Sequence, residues 1–364
     1  TNHYNTLNLV RSLGEENYYV ILLLIRDKIT FVDKSKYVKE CIFIERDTDI
    51  VETIKTISAK YYDEKIILFT SGDNEASFVN SHFKELNKYI ITEGGICDND
   101  INKYRDKNIS NQLAEEIGFN VPKTWIINNE KEIPNCIKYP ILAKANNSIH
   151  GGKNTLAVIN NIDELKTKLA TISSENYPVQ VQEYIDKEYE IMLQGCSLNN
   201  GKDIICEIAN RKLRHYPNPY SAGSFSYSVK VDTNPELIGL RILTSKYLRR
   251  TNYSGLFSAE FIYCNNKYYF LEINFRNDGT SYLSTSCGCN LADAFCKWQM
   301  SIQNEEFKYM LYIQDEKDRY LTDLNGNISF FKWIFQFMGR KCYSHFNWKD
   351  IKPFYYYLKS KKII

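Results

Sequence analysis

Two acidic residues, Glu260 and Glu272, flank an Asn-rich turn in the segment Gly255-Leu-Phe-Ser-Ala-Glu-Phe-Ile-Tyr-Cys-Asn-Asn-Lys-Tyr-Tyr-Phe-Leu-Glu-Ile-Asn-Phe-Arg276. The alternation on either side predicts a β-hairpin turning at Asn265-Asn266-Lys267. With a three-residue loop Cys264 pairs with Tyr268, and counting back sets Glu260 opposite Glu272. Side chains alternate along a strand, so Glu272, Asn274 and Arg276 share that face. Two directly opposed carboxylates repel, by several kcal/mol at about 5 Å in a medium of effective dielectric near 20. A divalent cation is the simplest way to offset that cost. Two carboxylates, an amide oxygen and phosphate oxygens make the all-oxygen shell that Mg²⁺ prefers. A two-residue loop would put the glutamates on opposite faces, so the reading depends on register. The plainer alternative is a solvated face on which each Glu pairs with a Lys.

The elements that must position this hairpin change character along the 364 residues, a length that suits two or three domains. The first hundred residues alternate helix and short apolar strand. A helix near Leu7 to Leu13 precedes the run Tyr19 to Ile25, then Cys41 to Ile44, a helix near Ile50 to Tyr61, and Lys65 to Thr70 closed by Ser71-Gly72-Asp73. Such strands predict a parallel sheet covered on both faces, in a Rossmann-like three-layer domain. Asp73-Asn74-Glu75 follows the third strand, where it would either help hold an amine or start a helix. A helix over Asn108 to Ile117 ends at Gly118, and beyond it longer alternating strands such as Pro178 to Glu183 and Lys267 to Glu272 predict antiparallel sheets. The chain begins with Thr1, so a start Met and a first strand are expected to precede it.

Composition narrows the classes. The apolar fraction of 43% and charged fraction of 25% suit a soluble globular chain, and a net charge of +2 gives no electrostatic footprint for nucleic acid. No run approaches the roughly 18 apolar residues of a membrane span. The ten cysteines are scattered without a Cys-x-x-Cys pair, and Cys287 with Cys289 lacks partners for a zinc site, so free thiols in a cytoplasmic protein are expected. The stretch from Phe331 to Ile364 carries eight basic residues and one Asp, a net +7 that leaves about −5 for the rest. Its segment Phe330 to Lys341 is rich in aromatics and would either pack on the domain or lie in a membrane interface.

With these residues in view, the sequence resembles the ATP-grasp superfamily. Glu272-Ile-Asn274-Phe-Arg276 looks like its metal-binding strand, with Glu260 as the preceding carboxylate, and the resemblance runs from about Asn102 to Ser286. Val10-Arg-Ser-Leu-Gly14 and Arg211-Lys-Leu-Arg-His-Tyr-Pro217 are similar to the D-aspartate ligase and carbamoyl-phosphate-synthase-like branch of carboxylate–amine ligases found in bacterial cell-surface gene clusters. The resemblance implies a mixed α/β and α+β fold. A Rossmann-like pre-ATP-grasp domain over 1–104 would precede a two-lobed ATP-grasp domain, with a small lobe over 105–185 and a large lobe with the metal site over 186–300. A C-terminal extension would occupy 301–364.

The resemblance also implies roles. Lys107 would bind nucleotide at the start of its helix. Lys144, in the apolar strand Ile141 to Ala145, would meet the α- and β-phosphates of ATP, the alternative being an amine that snorkels to water. The loop from Ser148 through Gly151 and Gly152 would close over phosphates with backbone N–H groups. Glu183, Tyr184 and Ile185 would form the hinge at the adenine edge, and Glu190 would hold the ribose hydroxyls. Glu260, Glu272 and Asn274 would bind Mg²⁺, or Mn²⁺ in its place. Lys144 and Arg276 would add positive charge, and Arg211 or Lys212 would reach the γ-phosphate or an acyl phosphate. Which of Arg211, Lys212 and Arg214 points inward stays open. The implied activity is ATP-dependent joining of a small-molecule carboxylate to an amine, in the cytoplasm or at the inner face of its membrane, with a homodimer as one assembly. The alternatives are a phosphotransferase on the same fold and a non-catalytic nucleotide-binding protein.

Overall fold

Apolar runs too short for helices and bounded by turn residues become strands here, while stretches with capping residues and apolar positions at helical spacing become helices. The computed structural model describes residues 1–45, 47–129, 132–145, 157–171, 177–216, 223–299, 312–314, 328–339 and 341–363, with the backbone alone for Lys144, Ala145, Ala157 and Tyr312. The first domain comprises α1 (Tyr4–Glu15), β1 (Val20–Ile25), β2 (Val38–Ile44), α2 (Ile50–Lys60), β3 (Ile67–Leu68), α3 (Asp73–Ser81), α4 (Phe83–Leu86) and β4 (Ile91–Thr92). Its parallel pairing falls into two short ladders, β1 with β2 and β3 with β4, rather than the continuous sheet expected from sequence. Only two residues of the Lys65 to Thr70 run enter a ladder, because Thr70 is occupied elsewhere: its N–H and hydroxyl both donate to Glu93.

Helix α5 (Lys107–Ile117) starts on the side chain of Asp106, which accepts from the Asn108 and Ile109 amides, and ends at Gly118 with φ of 105°. A side chain at that left-handed position would be strained. Strands β5 (Thr124–Ile127), β6 (Ile141–Ala145) and β7 (Ala157–Ile159), helix α6 (Ile162–Ala170) and β8 (Val179–Glu183) build the small lobe, an antiparallel four-stranded sheet ordered β5-β8-β6-β7. The large lobe follows with β9 (Tyr189–Leu198), β10 (Asp203–His215), β11 (Gly223–Lys230), α7 (Pro235–Thr251), β12 (Gly255–Cys264), β13 (Lys267–Asn274), α8 (Ser281–Ser286) and α9 (Leu291–Gln299). Then come β14 (Tyr312–Gln314), α10 (Phe330–Met338), β15 (Lys341–Tyr343) and α11 (Lys352–Ser360). The large sheet runs β13-β12-β9-β10-β11-β14-β15.

Packing departs from the sequence-based segments in two places. Leu113 and Ala114 of α5 are buried with Leu237, Tyr247, Phe261 and Phe270, so residues assigned to the small lobe pack in the large-lobe core. The C-terminal residues are not a separate extension. Strands β14 and β15 complete the large sheet, and Tyr357 of α11 is buried with Leu7, Val10 and Phe31 of the first domain. Arg11, fully buried, pairs through Nε with Asp350 at 3.2 Å and donates through Nη2 to the His345 carbonyl. The Arg11 segment that carried part of the family resemblance is thus a clamp on the chain's end.

Candidate active site

The hairpin of β12 and β13 sets the site. Its turn has two residues, Asn265 and Asn266, with φ of 49° and 58°, the left-handed pair of a type I′ turn. Cys264 pairs with Lys267, and not with Tyr268 as a three-residue loop would require. From that register alone Glu260 would face Leu271. A bulge intervenes: the ladder shifts after Phe261↔Phe270, and Glu260 pairs with Glu272. One extra residue on β13 keeps Phe270 in the core and still returns Glu272 to the polar face.

On that face the neighbouring strands supply the rest. Lys212 of β10 lies opposite Glu190 of β9, and its ammonium bridges Glu260 at 2.7 Å and Glu190 at 3.0 Å. Lys187 also pairs with Glu190, and His215 Nε2 lies 3.3 Å from the same carboxylate. Burial pushes Glu190 upward, yet Lys212, His215 and Lys187 hold it well below the usual carboxylate range. Burial pulls Lys212 down, but Glu260 and Glu190 outweigh it and the ammonium is held above its ordinary value. For Glu260, burial and the Glu272 charge prevail over Lys212, and its carboxyl is raised. Burial, opposed by Glu190, lowers His215 from the ordinary imidazole range. Asn274 Nδ2 points at Ser258 Oγ (3.3 Å) and Glu260 Oε1 (3.5 Å).

Arg276 follows on the same strand edge, donating through Nη2 to Asn274 Oδ1 at 3.3 Å. Its guanidinium is gripped in bidentate fashion by Asp73, Nε to Oδ1 at 2.8 Å and Nη2 to Oδ2 at 3.1 Å, with Arg105 on Asp73 at 3.2 Å. Asp73 is the first residue of α3 behind a Gly72 cap, so it neither caps the helix with its side chain nor stands free for an amine. Asp73, Arg105, Lys107, Glu272 and Asn274 line one cleft.

Arg211 does not join this set. Adjacent residues of β10 face opposite ways, and Arg211, paired with Ile191, stacks 3.6 Å over the Tyr189 ring and donates to Tyr227 on the other face. Arg214 is buried against Phe225 at 3.9 Å. Of the three cations left open by sequence, Lys212 reaches the carboxylates. The 184–188 stretch links β8 of the small sheet to β9 of the large one. Exposed Glu183 and the Tyr184 amide, 3.4 Å from the Pro140 carbonyl, begin that stretch, with half-buried Ile185 behind them. Lys144 pairs in backbone register with Gln180, and its side chain lies outside the described residues, as do Ser148, Gly151 and Gly152.

No protein-family model matches the sequence. The chain is 23% identical over 282 residues to the carbamoyl phosphate synthase large chain of Sulfolobus acidocaldarius, covering 71% of this chain and 26% of that one. It therefore spans about a quarter of the length of the curated relatives it matches. Among solved structures it superposes on biotin carboxylase from Campylobacter jejuni, in a βγ-ATP complex, with a TM-score of 0.65 at 16% identity, covering 85% of this chain and 73% of that one. An L-amino acid ligase from Bacillus licheniformis superposes with a TM-score of 0.62 at 14% identity, covering 81% and 71%. The chain has the ATP-grasp fold.

A divalent cation fits the chemistry of this face: Glu260 and Glu272 oppose each other, Lys212 bridges Glu260 to Glu190, and Asp73 holds the Arg276 fork together with Arg105. Glu272 has no ion pair or hydrogen bond among the described residues. The donors are carboxylate and amide oxygens, the hard ligands Mg²⁺ selects; among the described residues no group of three or more His, Cys, Asp or Glu is preassembled for a metal, here or elsewhere, so phosphate oxygens would have to complete the shell. Sequence reading missed Lys187, His215 and Arg105, and it named Asp73 for a different role; Lys187 reaches Glu190 locally, three residues along the chain, and the others arrive through tertiary packing. It also missed Gln180, which is fully buried, pairs in backbone register with Lys144, and has side-chain polar atoms with no partner among the described residues. Polar periodicity in Val179-Gln-Val-Gln-Glu183 was the one available signal for Gln180.

Proposed function

We propose that this chain is a cytoplasmic ATP-dependent carboxylate–amine ligase that works through an acyl phosphate. The observation that carries the reading is Glu260 opposite Glu272, with Asn274 and Lys212 on the same sheet face. The likeness to an ATP-complexed carboxylase and an amino acid ligase supports it. Lys107, Lys144, Ser148, Gly151 and Gly152 hold the phosphates. Backbone groups of Glu183, Tyr184 and Ile185 meet the adenine edge, and Glu190 takes the ribose hydroxyls.

Glu260, Glu272 and Asn274 hold Mg²⁺, or Mn²⁺ in its place, which when bound supplies positive charge to the phosphate oxygens. A substrate carboxylate oxygen attacks the γ-phosphorus, the bond to the β-bridging oxygen breaks, and ADP leaves. The amine nitrogen then attacks the acyl carbon, phosphate departs, and the nitrogen loses a proton as the amide forms. The chain's part is positioning and charge neutralisation, which this reading gives to Lys212 and to the Asp73-held Arg276, and it needs no nucleophile of its own. Arg211, which stacks on Tyr189, is left out of this role in the present reading.

In its finer form the reading makes the enzyme part of cell-surface polymer synthesis, working as a homodimer at the inner face of a membrane. Its domain plan follows the breaks at 104, 185 and 300, with α5 packed in the large-lobe core and the segment after 300 joined to the large sheet and the first domain. A screen of amino acids, sugar acids and amino sugars with Mg-ATP, following ADP and phosphate together, tests the reaction. Free phosphate supports ligation, whereas phosphate retained on a product points to a kinase. Glu272→Ala is expected to abolish ADP release with its melting transition intact, and normal release from that folded variant would remove the metal assignment.

A further inference from the structure

Helix α10 (Phe330–Met338) buries none of its residues. Phe331, Phe335 and Met338 are spaced as one stripe along it and are 83%, 74% and 73% exposed. The opposite side is the one tied to the domain: Gln336 accepts from Arg214 Nη1 at 2.8 Å, and Trp333 is half-buried. The helix thus turns an apolar stripe outward, the reverse of an ordinary surface helix, while Phe330 and Phe337, about half exposed, stack on Trp333. From Phe331 onward the sequence carries eight basic residues and one acid. Lys332, Lys349, Lys352, Lys359, Lys361 and Lys362 are exposed, while the single acid from Phe331 onward, Asp350, is buried against Arg11.

We propose that α10 is a membrane-surface anchor, its outward stripe bedded among the headgroups of an anionic phospholipid bilayer and the C-terminal lysines held by the lipid charge. This goes beyond the ligase reading and does not depend on it. No helix among the described residues is long and apolar enough to cross a membrane, so the contact is interfacial. Charge selects this occupant over a second copy of the chain. A two-fold contact would bring the same patch of each copy together, setting one +7 region against another. A stripe of three side chains is also small beside the roughly 800 Å² per partner that a stable interface buries.

The whole chain is mixed with sedimentable vesicles of phosphatidylcholine alone and of phosphatidylcholine containing phosphatidylglycerol. It is expected to pellet with the anionic vesicles, to stay in solution with the neutral ones, and to be released by salt of about 1 M, where the screening length falls to about 3 Å. The Phe331→Ser/Phe335→Ser/Met338→Ser variant should lose at least about tenfold in partitioning. Its melting temperature and vesicle-free ADP release should match the parent, which separates this result from any failure of the ligase reading. Should that variant misfold, Lys359→Glu/Lys361→Glu/Lys362→Glu reads the electrostatic half with the stripe intact, and it too should weaken pelleting. Absence of pelleting with anionic vesicles, pelleting that survives both variants, or a dimer by light scattering that the stripe variant dissolves would each overturn the proposal.

Discussion

Lys212 stands between two largely buried carboxylates, and its chemistry is set by them. Its side chain is 12% exposed and its ammonium touches both Glu190 and Glu260, so it ties β9 to the hairpin strand β12. A preorganised cation at that point would meet negative charge developing on a transferred phosphoryl group. Lys212→Met should lower kcat/KM for ATP about a hundredfold, the size of one lost preorganised contact. Lys212→Arg should recover little, because a planar fork does not replace a point charge between two carboxylates. Steady-state ADP release checks both, and unchanged kinetics in Lys212→Met would remove Lys212 from the reaction. The sequence singled out the Arg211-Lys-Leu-Arg214 run but could not choose within it, since the choice rests on strand phase. The ladder with β9 supplies that phase by pairing Lys212 with Glu190.

The hairpin as an element shows how a correct pairing follows from a different register. A three-residue loop was expected and a two-residue one is present, yet Glu260 and Glu272 remain partners because β13 carries a bulge at Leu271. Loop length is set locally by two asparagines that tolerate positive φ, whereas the bulge is set by the core's demand for Phe270 and by the polar face. Asn266→Ala should therefore destabilise the protein by about 1–2 kcal/mol, the cost of a left-handed non-glycine residue. Chemical denaturation measures the loss. Asn266→Gly, which relieves that cost, should be at least as stable as the parent, and equal stability of the Ala variant would contradict the turn assignment.

At the scale of the whole molecule, Glu93 joins the first domain to the large lobe. One oxygen accepts from the Thr70 amide and hydroxyl, and the other accepts from the Leu256 amide at 2.8 Å, four residues before Glu260. Beside it the Gly94 and Ser254 backbones exchange two hydrogen bonds, and a Cβ at Gly255 (φ 148°) would meet Glu93 Cβ at 2.8 Å, so the two domains approach closely only through glycine. Burial, opposed by those three hydrogen bonds, pushes the Glu93 carboxyl up to about 7. The folded state then holds a proton that the unfolded chain gives up near its ordinary value of 4.5. Stability from this group is complete below that value and falls as pH rises through about 7. Melting temperatures taken across that window should decline in the parent and flatten in Glu93→Gln, and equal slopes would contradict the account. What the sequence by itself determined was the chemistry on offer and the local elements: strand and helix alternation, the helix from Asn108 that ends at Gly118, and a hairpin turn between two glutamates whose pairing the bulge then set. Those follow from periodicity and short-range contacts, which a linear chain carries in full. Tertiary structure decided which cation faces the carboxylates, that Asp73 clamps Arg276, that α5 belongs to the large-lobe core and that the chain's end is bolted to Arg11. Each of these joins residues far apart in sequence, and only strand phase and packing bring them within reach.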